Sequence, residues 1–489
     1  MTSPNVTHTG IDLRPNHARV ITRFFVPGLE ALGRDDSRAG PVIDRIMALA
    51  ESEVEAAMAH LQRRFQFEGR ELERIFVEHA GLVMSRVDPE LELSPVRQLL
   101  LGASFTHEFA IEGAALCNPS AVLHPVQDGS GAASFIFSVR GIGEGHRSSI
   151  GFRTGRVSAT GSVTVDPAGT EPVAAPAQPG VHHGPVLHAK LSELHDDREN
   201  ASYVLDVLPA RFEADELDVR IGLLDADAVT RSNTAATIDN IRRLARSSYR
   251  VEFNESIELS NRVLWPHSPA ESHGMEDARF VRFVEPDGEV VYYATYTAYD
   301  GVDIAQHLLE TSDFLTFDVS PMAGAAASGK GFALFPRKIG GQYAALSRSD
   351  RENNSIAFSD DVRCWDRAEV IQVPKFAWEI LQLGNCGSPI ETDAGWIVFT
   401  HGVGPMRTYS LGALLLDLEH PSKVLGFSSQ PILEPAEFQR GGYVPNVVYT
   451  CGGFIHGDTL VLPYGVDDQT ITIATYSVED LVASLLASA

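Results

Sequence analysis

Short β-type runs separated by turn residues follow one another from about residue 104 to the end of the chain. Runs such as "ASFIFSVRGI", "EVVYYATYTAY" and "GWIVFTHGVG" are rich in β-branched and aromatic residues, and Gly, Asp or Asn marks the turns between them. Such runs at short spacing are typical of an antiparallel all-β architecture. The pattern therefore predicts a sandwich, a barrel or a propeller.

Four of these runs share one shape, in which a turn residue precedes an aromatic-rich strand that ends in a polar residue. They are "GEVVYYATYTAYDG", "GQYAALSRSD", "GWIVFTHGVG" and "DTLVLPYGVDD". Loosely repeated units of this kind fit the blades of a β-propeller, in which each four-stranded sheet packs on its neighbour. We favour the propeller over the sandwich on this basis.

The segment from residue 40 to residue 100 has a different spacing. Its apolar residues recur at three- and four-residue steps, as at Ile43, Ile46, Met47, Val54, Met58 and Leu61. This spacing predicts helices, which we interpret as scaffolding or as a contact in a homo-oligomer. We expect a mainly helical N-terminal extension over residues 1–103 and an all-β catalytic domain over residues 104–489.

Residues 156–250 interrupt the β pattern. A stretch rich in Pro, Gly and Ala comes first, and a helix-like segment that ends near Arg250 follows it. We interpret the region as a loop with a helical insertion between blades. His182, His183 and His188 lie in it, but no carboxylate or cysteine stands at ligand spacing, so we predict no metal.

Charge and cysteine usage limit the class of protein. The chain has 39 Lys and Arg against 65 Asp and Glu, a net charge of −26. Nucleic acids and anionic membranes both require clustered positive charge, so neither is an expected partner. The four cysteines lack CxxC spacing, which predicts free thiols in a reducing compartment. With no signal-type or spanning apolar run, we predict a cytoplasmic protein.

The segment "HGMEDARFVRF", residues 273–283, places Glu276 and Asp277 next to each other before an alternating apolar run. We expect Asp277 just before the strand, where a carboxyl shielded from water can have a raised pKa and act as a general acid. Arg279 can orient this acid or bind substrate. A solvated turn is the alternative interpretation.

Positive charge gathers in the segment that begins "KGFALFPRKIGGQYAALSR". It holds Lys330, Arg337, Lys338, Arg348 and Arg351. Two short strands around an "IGG" turn can bring alternate side chains together on an anion. A solvated basic edge strand is the alternative.

Other polar residues stand near the ends of apolar strands. They are Arg140, Thr297, Tyr299, His401 and Asp467. Together they indicate a polar pocket where strands meet, of the kind that binds sugars through many polar contacts. No nucleotide-binding, metalloprotease or nucleophile-elbow motif occurs in suitable context.

Taken together, these segments resemble glycoside hydrolase family 130, the β-mannoside phosphorylases and related β-mannosidases. The resemblance rests on "CNPSAVLHP", "FSVRGIG", "GMEDARFVRF", "KGFALFPRKIGGQYAALSR", "GSPIETDAGWIVFTHGV", "PNVVYTCGG" and "LPYGVDD" and on their order. It covers roughly residues 115–480 apart from 156–250. It implies a five-bladed β-propeller with the active site in its central channel.

The resemblance also implies roles for individual residues. Asp277 falls on the proton donor of the family's "EDPR" motif, with Ala278 where Pro is usual. Asn118 and Arg140 fall in first-blade segments that face the sugar, and Asp467 falls in the segment that closes the pocket. Glu276 and Arg279 stand beside the acid. We predict that these residues bind substrate together with the strand-end residues Thr297, Tyr299 and His401. Lys330, Arg348 and the nearby Arg337 fall in segments that bind phosphate, although Ser347 stands where phosphorylases commonly have His.

Two reactions fit these residues. In phosphorolysis an inverting enzyme needs one acid and a basic nest that holds phosphate, with no cofactor and no metal. In hydrolysis a second carboxylate activates water, and Glu352 and Glu391 are the candidates. We favour phosphorolysis of β-mannosides to mannose 1-phosphate, with a β-mannosidase and a non-catalytic glycan-binding propeller as alternatives.

Overall fold

The structure, a computed structural model, describes residues 5–27, 38–65, 72–87, 92–196, 199–227, 231–436 and 441–488. Contacts divide the chain into one compact unit of residues 20–110 and another of residues 1–19 with 111–489. The sequence predicted that the first 19 residues belong with the N-terminal helices. The contacts instead place these residues in the unit that contains residues 111–489. The division into an extension and a catalytic domain stays a prediction.

The helices of the described residues are numbered here in chain order. They are α1 (Ala39–Ala48), α2 (Glu51–Phe65), α3 (Leu72–Val83), α4 (Pro95–Ser104), α5 (Gly184–Glu193), α6 (Glu199–Leu205), α7 (Ala214–Ala226), α8 (Thr234–Ala245) and α9 (Val478–Leu486). The helices α1 to α4 confirm the helical spacing, except at residues 66–71 and 88–91, which lie outside the described residues. Their apolar faces form one core that contains Val54, Met58 and Phe76.

The strands from the start of the chain to residue 321 include the segment with the acidic pair. They are β1 (Val6–His8), β2 (Val20–Phe24), β3 (Thr106–Ala110), β4 (Ala115–Leu123), β5 (Ala133–Ile142), β6 (Ser148–Val157), β7 (Val163–Val165), β8 (Ala177–Pro179), β9 (His182–His183), β10 (Arg211–Phe212), β11 (Tyr249–Glu252), β12 (Val263–Leu264), β13 (Gly274–Val284), β14 (Val290–Tyr299), β15 (Ile304–Thr311) and β16 (Thr316–Pro321).

The remaining strands begin inside the basic segment. They are β17 (Ala333–Leu334), β18 (Tyr343–Ser347), β19 (Asn354–Ser359), β20 (Ala368–Gln372), β21 (Gln382–Asn385), β22 (Ile390–Thr392), β23 (Gly395–Gly404), β24 (Thr408–Leu416), β25 (Val424–Phe427), β26 (Val448–Tyr449), β27 (Phe454–His456), β28 (Thr459–Val466) and β29 (Thr470–Ser477).

Most of these strands pair antiparallel with their neighbours in the chain, which confirms the mainly antiparallel β prediction. An eleven-stranded sheet runs β4-β5-β6-β13-β14-β15-β16-β11-β8, with β7 and β12 on β6. Three further sheets run β17-β18-β19-β20, β21-β23-β24-β25 and β1-β29-β28-β26. Within the eleven-stranded sheet, β6 and β13 meet only through one parallel pair, Ser148 with Gly274.

The region 156–250 contains both strands and helices. Strands β7 and β8 join the eleven-stranded sheet, while α5 to α8 bury an apolar cluster of their own around Leu191 and Ile241. Among the described residues, no group of three or more His, Cys, Asp or Glu side chains is placed to hold a metal ion. No helix in the described part of the chain is long and apolar enough to cross a membrane.

Two glycines of the helical unit differ in what surrounds them. A Cβ atom added at Gly102 in α4 meets the carbonyl oxygen of Phe76 in α3 at 1.7 Å, whereas one added at Gly81 in α3 meets nothing within 4 Å. Helices α3 and α4 therefore approach each other through a position that only glycine fits.

We expect Gly102→Ala to lower the free energy of unfolding of the full-length chain, because α3 and α4 must move apart. Gly81→Ala is the matched control and should raise it by about 0.5–1 kcal/mol, since alanine restricts the unfolded chain and fits the helix. Calorimetry of both variants checks this. Equal melting temperatures would contradict the close contact.

Candidate active site

A polar pocket of about 310 Å³ lies where strands of several sheets end. Its walls come from β4, β5, β13, β23, β24 and β26 and from the turns beside them. The residues that line it include Asn118, Arg140, His146, Glu276, Asp277, Lys330, Arg348, His401, Arg407, Tyr409, Tyr443, Tyr449 and Asp468. Seven of the twelve site residues that were predicted from the sequence therefore line this one pocket.

Asp277 lies inside β13 and not before it, so that part of the prediction was wrong. The pairing of β13 with β14 shifts between Glu276 and Arg279, so Asp277 and Ala278 form a bulge opposite Tyr296. Asp277 has φ of +57°, a conformation that Asp and Asn adopt more readily than most residues. The alternation of apolar and polar residues begins only after Ala278, because the bulge changes which face of the sheet each following side chain points to.

A second bulge faces the first. The pairing of β4 with β5 shifts between Cys117 and Ser120, and Asn118 there has φ of +48°. Its side-chain amide donates a hydrogen bond to Oδ1 of Asp277. Two bulges with the same backbone conformation thus push an amide and a carboxylate into the pocket together.

Two cations hold the acidic pair. Nη1 of Arg140 lies 3.1 Å from Oδ1 of Asp277, and its Nη2 lies 2.6 Å from Oε1 of Glu276. Nζ of Lys330 lies 2.6 Å from Oε2 of Glu276. Glu276 is 6% exposed and Asp277 9%, so the acidic pair is buried and is not a solvated turn.

The pKa of Asp277 contradicts the expectation of a raised value. Burial raises it, but Arg140, Arg279 and Lys330 together outweigh burial and lower the pKa to about 2. Asp277 is therefore ionised in this arrangement. The carboxyl with a raised pKa is Asp468, where burial and then the charge of Asp277 bring the pKa to about 6.

Arg279 lies behind the pocket and does not line it. It is 1% exposed, and it donates to the carbonyl oxygens of Cys386 at 2.6 Å and Asp277 at 2.8 Å and to the hydroxyl of Tyr449 at 3.1 Å. Its position supports Asp277 from the backbone side. Direct contact between Arg279 and a substrate is not available in this arrangement.

Arg348 and His401 form a pair in the pocket. Nη1 of Arg348 lies 2.9 Å from Nε2 of His401, and burial, followed by the charges of Arg348 and Arg279, lowers the pKa of His401 well below its usual range. The ring is therefore neutral and accepts from Arg348. Ser347 points away and donates to the carbonyl oxygen of Ala326 at 2.6 Å.

Four of the suggested residues, besides Arg279, do not reach the pocket. The hydroxyl of Thr297 accepts from Gln306, and that of Tyr299 donates to the carbonyl oxygen of Gly301. The carboxylate of Asp467 faces the backbone N–H of Val447. Their side chains serve local structure.

Arg337 is the fourth of these residues. It forms an ion pair with Glu391 at 2.7 Å, and its guanidinium lies over the ring of Trp396. Glu391 and the exposed Glu352, the two suggested bases for hydrolysis, are also outside the pocket. Besides the acidic pair, the described residues that line the pocket include one further carboxylate, that of Asp468.

Several pocket residues escaped the sequence analysis. Asp468 directly follows Asp467, the residue that the sequence predicted. Only the conformation of the turn after β28 shows which of the two aspartates faces the pocket. His146 and Tyr443 stack with ring centroids 5.2 Å apart at the mouth, but both stand in irregular segments without periodicity. Tyr409 and Tyr449 pack on His401, and their aromatic character in strands was the available signal.

The family assignment follows from comparison with known proteins. A family model described as beta-1,4-mannooligosaccharide phosphorylase matches residues 232–486. That range is slightly more than half of the chain and contains nearly all of the lining residues after β6. This chain belongs to glycoside hydrolase family 130.

Individual relatives agree with this assignment. The chain is 35% identical over 229 residues to a 1,2-beta-oligomannan phosphorylase of Thermoanaerobacter sp. strain X514, covering 46% of this chain and 75% of that protein. It is 30% identical over 229 residues to a beta-1,2-mannobiose phosphorylase of Listeria innocua, covering 45% and 63%. These relatives are glycoside phosphorylases by name.

The chain also aligns with solved structures. A beta-1,2-mannobiose phosphorylase from Listeria innocua, in complex with beta-1,2-mannobiose, aligns with a TM-score of 0.45 and 20% identity. The alignment covers 78% of this chain and 94% of that one.

Asp468→Asn tests the raised pKa of this carboxyl. Its pKa of about 6 exceeds the ~3.9 of an aspartate in an unfolded chain, so the folded protein holds the proton more tightly. Raising the pH from about 4 to about 7 therefore costs the parent protein up to about 3 kcal/mol that the variant keeps. Melting temperatures should agree near pH 4 and favour the variant near pH 8. A parent more stable at pH 8 would contradict this.

Proposed function

We propose that the protein catalyses inverting phosphorolysis of β-mannosides, with Asp277 as general acid and with Lys330, Arg348 and Arg140 around the phosphate. The observation that carries the proposal is the unsatisfied Nε atom of two arginines that line the same pocket as the acid. The Nε atoms of Arg140 and Arg348 are buried and have no hydrogen-bond acceptor among the described residues. A tetrahedral oxyanion in the pocket supplies the missing acceptors.

The relatives support a mannoside as the substrate. Their names specify 1,2-linked oligomannan, β-1,2-mannobiose and, in Ruminococcus albus, β-1,4-mannooligosaccharide. The pocket offers amide, carboxylate and guanidinium groups for sugar hydroxyls, together with aromatic rings at its mouth. We therefore take β-1,2- and β-1,4-linked mannobiose as the first substrates, with phosphate as co-substrate and no cofactor.

Proton transfer by Asp277 requires a change on substrate binding, because the surrounding cations hold the pKa of Asp277 at about 2. Phosphate that binds Lys330 and Arg348 offsets their positive charge, and the sugar excludes water from the carboxyl. Both effects raise the pKa of Asp277 toward the range of a general acid. Asp468, with a pKa of about 6, is the alternative proton donor of the pocket.

Asp468 also keeps the hydrolytic alternative open, since an inverting hydrolase needs a second carboxylate beside the acid. The cations favour phosphate over water as nucleophile. An exposed Asp277 remote from Arg140 and Lys330 would have supported the non-catalytic alternative. Asp277 is buried and contacts Arg140, so this alternative loses its support.

We also propose that the sheets form the five-bladed propeller that the family resemblance implies. The single parallel contact between β6 and β13 divides the eleven-stranded sheet into two antiparallel groups. These groups and the three further sheets supply five sets of strands around the pocket. A cytoplasmic location and a homo-oligomer remain predictions from the sequence.

The first experiment compares β-1,2- and β-1,4-mannobiose with and without phosphate. We expect mannose 1-phosphate only when phosphate is present, and Asp277→Asn should lower kcat about 10²–10⁴-fold because the general acid is lost. An unchanged melting temperature of the variant is the control for folding. Release of free mannose without phosphate would establish the hydrolase instead.

The second experiment locates the phosphate. Lys330→Ala and Arg348→Ala should each raise KM for phosphate about tenfold to a hundredfold, because each removes a charge-assisted hydrogen bond. Arg337→Ala is the matched control from the same basic segment and should leave KM unchanged, since Arg337 pairs with Glu391. An equal effect of all three substitutions would refute the placement of the phosphate.

A further inference from the structure

A second cavity, of about 530 Å³, lies between the helical insertion and the eleven-stranded sheet. Helices α7 and α8 form one wall, and β8 and β11 form the other. Apolar side chains cover most of the walls, among them Pro179, Leu217 and Ile221. Its volume falls within the range of small-molecule sites, and it exceeds the volume of the active-site pocket.

The charge of this cavity opposes that of the chain. Arg242 and Arg246 line it one helical turn apart, and neither forms an ion pair with any described residue. Asp218 is the one acidic residue among the described lining residues, so the lining is net positive in a chain of net charge −26. Positive charge beside apolar walls suits an anion with an apolar body.

A buried polar atom without a partner also lies at the cavity. His182 is 2% exposed, and its Nδ1 has no hydrogen-bond partner within the described residues. Such atoms are rare in folded proteins because each costs free energy. Nδ1 of His182 is therefore available to a polar group of a ligand.

Buried hydrogen bonds lead from the cavity to Tyr296, on the strand that pairs with β13. Tyr249 lines the cavity, and its hydroxyl donates to Oε1 of Glu271 at 2.9 Å. The hydroxyl of Tyr296 donates to the same oxygen. Tyr296 is the residue of β14 that faces the bulge of Asp277 and Ala278. These two hydrogen bonds thus link Tyr249 to the strand position opposite Asp277.

Glu271 fixes the geometry of the hydrogen bonds between Tyr249 and Tyr296. It is 0% exposed, and its Oε2 accepts from the backbone N–H groups of His267 at 3.0 Å and Ser268 at 2.8 Å. A buried carboxylate with four donors keeps its geometry, because losing any one of them leaves charge uncompensated. Glu271 stands five residues before Glu276, on the segment that leads into β13.

We propose that this cavity is a regulatory site for a small organic anion that joins an apolar ring to one phosphate or carboxylate group. The ring packs between α7 and β8, and the anionic group binds Arg242 and Arg246. Occupancy acts on the bulge through Tyr249, Glu271 and Tyr296. The inference rests on the proposed function only in treating that bulge as catalytic.

Phenyl phosphate is the probe, with binding to the full-length protein measured by calorimetry. We expect binding to persist in Arg348→Ala, which disables the anion site of the active pocket, and to weaken at least tenfold in the double variant R242A/R246A. Arg243→Ala, from the same helix but outside the cavity, is the matched control and should bind like the parent. Absence of binding, or loss only in Arg348→Ala, would overturn the site.

Amide hydrogen exchange of the peptide over residues 274–280 tests the connection independently of any activity. Saturating phenyl phosphate should slow exchange there at least twofold in the parent and in Arg348→Ala. Tyr249→Phe keeps the ring but loses the bond to Glu271, so it should bind the probe without slowing exchange. Binding with unchanged exchange in the parent would overturn the regulatory role.

Discussion

The buried guanidinium of Arg279 is the contact on which the pocket depends. A charged group is costly to bury unless its N–H groups find acceptors, and Arg279 finds them in two backbone carbonyls and the hydroxyl of Tyr449. Because one carbonyl belongs to Asp277 and the other to Cys386, the side chain ties β13 to the segment after β21. It also holds Asp277 in a backbone conformation that a strand does not otherwise adopt.

The charges in front of Arg279 explain why two aspartates in one pocket differ. Asp277 contacts Arg140 and has cations on several sides, whereas Asp468 is half-buried and meets the negative charge of Asp277. Their pKa values of about 2 and about 6 therefore diverge. Divergent pairs of this kind commonly divide the work of proton transfer between a charged and a protonated group.

The sequence predicted the hairpins, the N-terminal helices and most of the polar groups that meet, because alternation and turn residues are local properties. It was wrong wherever a local irregularity changed the direction of a side chain. The bulge at Asp277 moved the start of β13, and the turn after β28 turned Asp468 inward instead of Asp467. Arg337 was misjudged because its ion pair with Glu391 joins residues that are 54 positions apart.

The pairing of β1 with β29 has a consequence for biosynthesis. Val6 pairs with Tyr476. Strand β1 therefore cannot pair until β29, one of the last segments to be synthesised, has left the ribosome. At about 5–20 residues per second, that delay is roughly 25–100 s. During it the edge of β1 that pairs with β29 is exposed to other chains. Nascent chains of this protein are therefore candidates for chaperone protection until translation has passed residue 477.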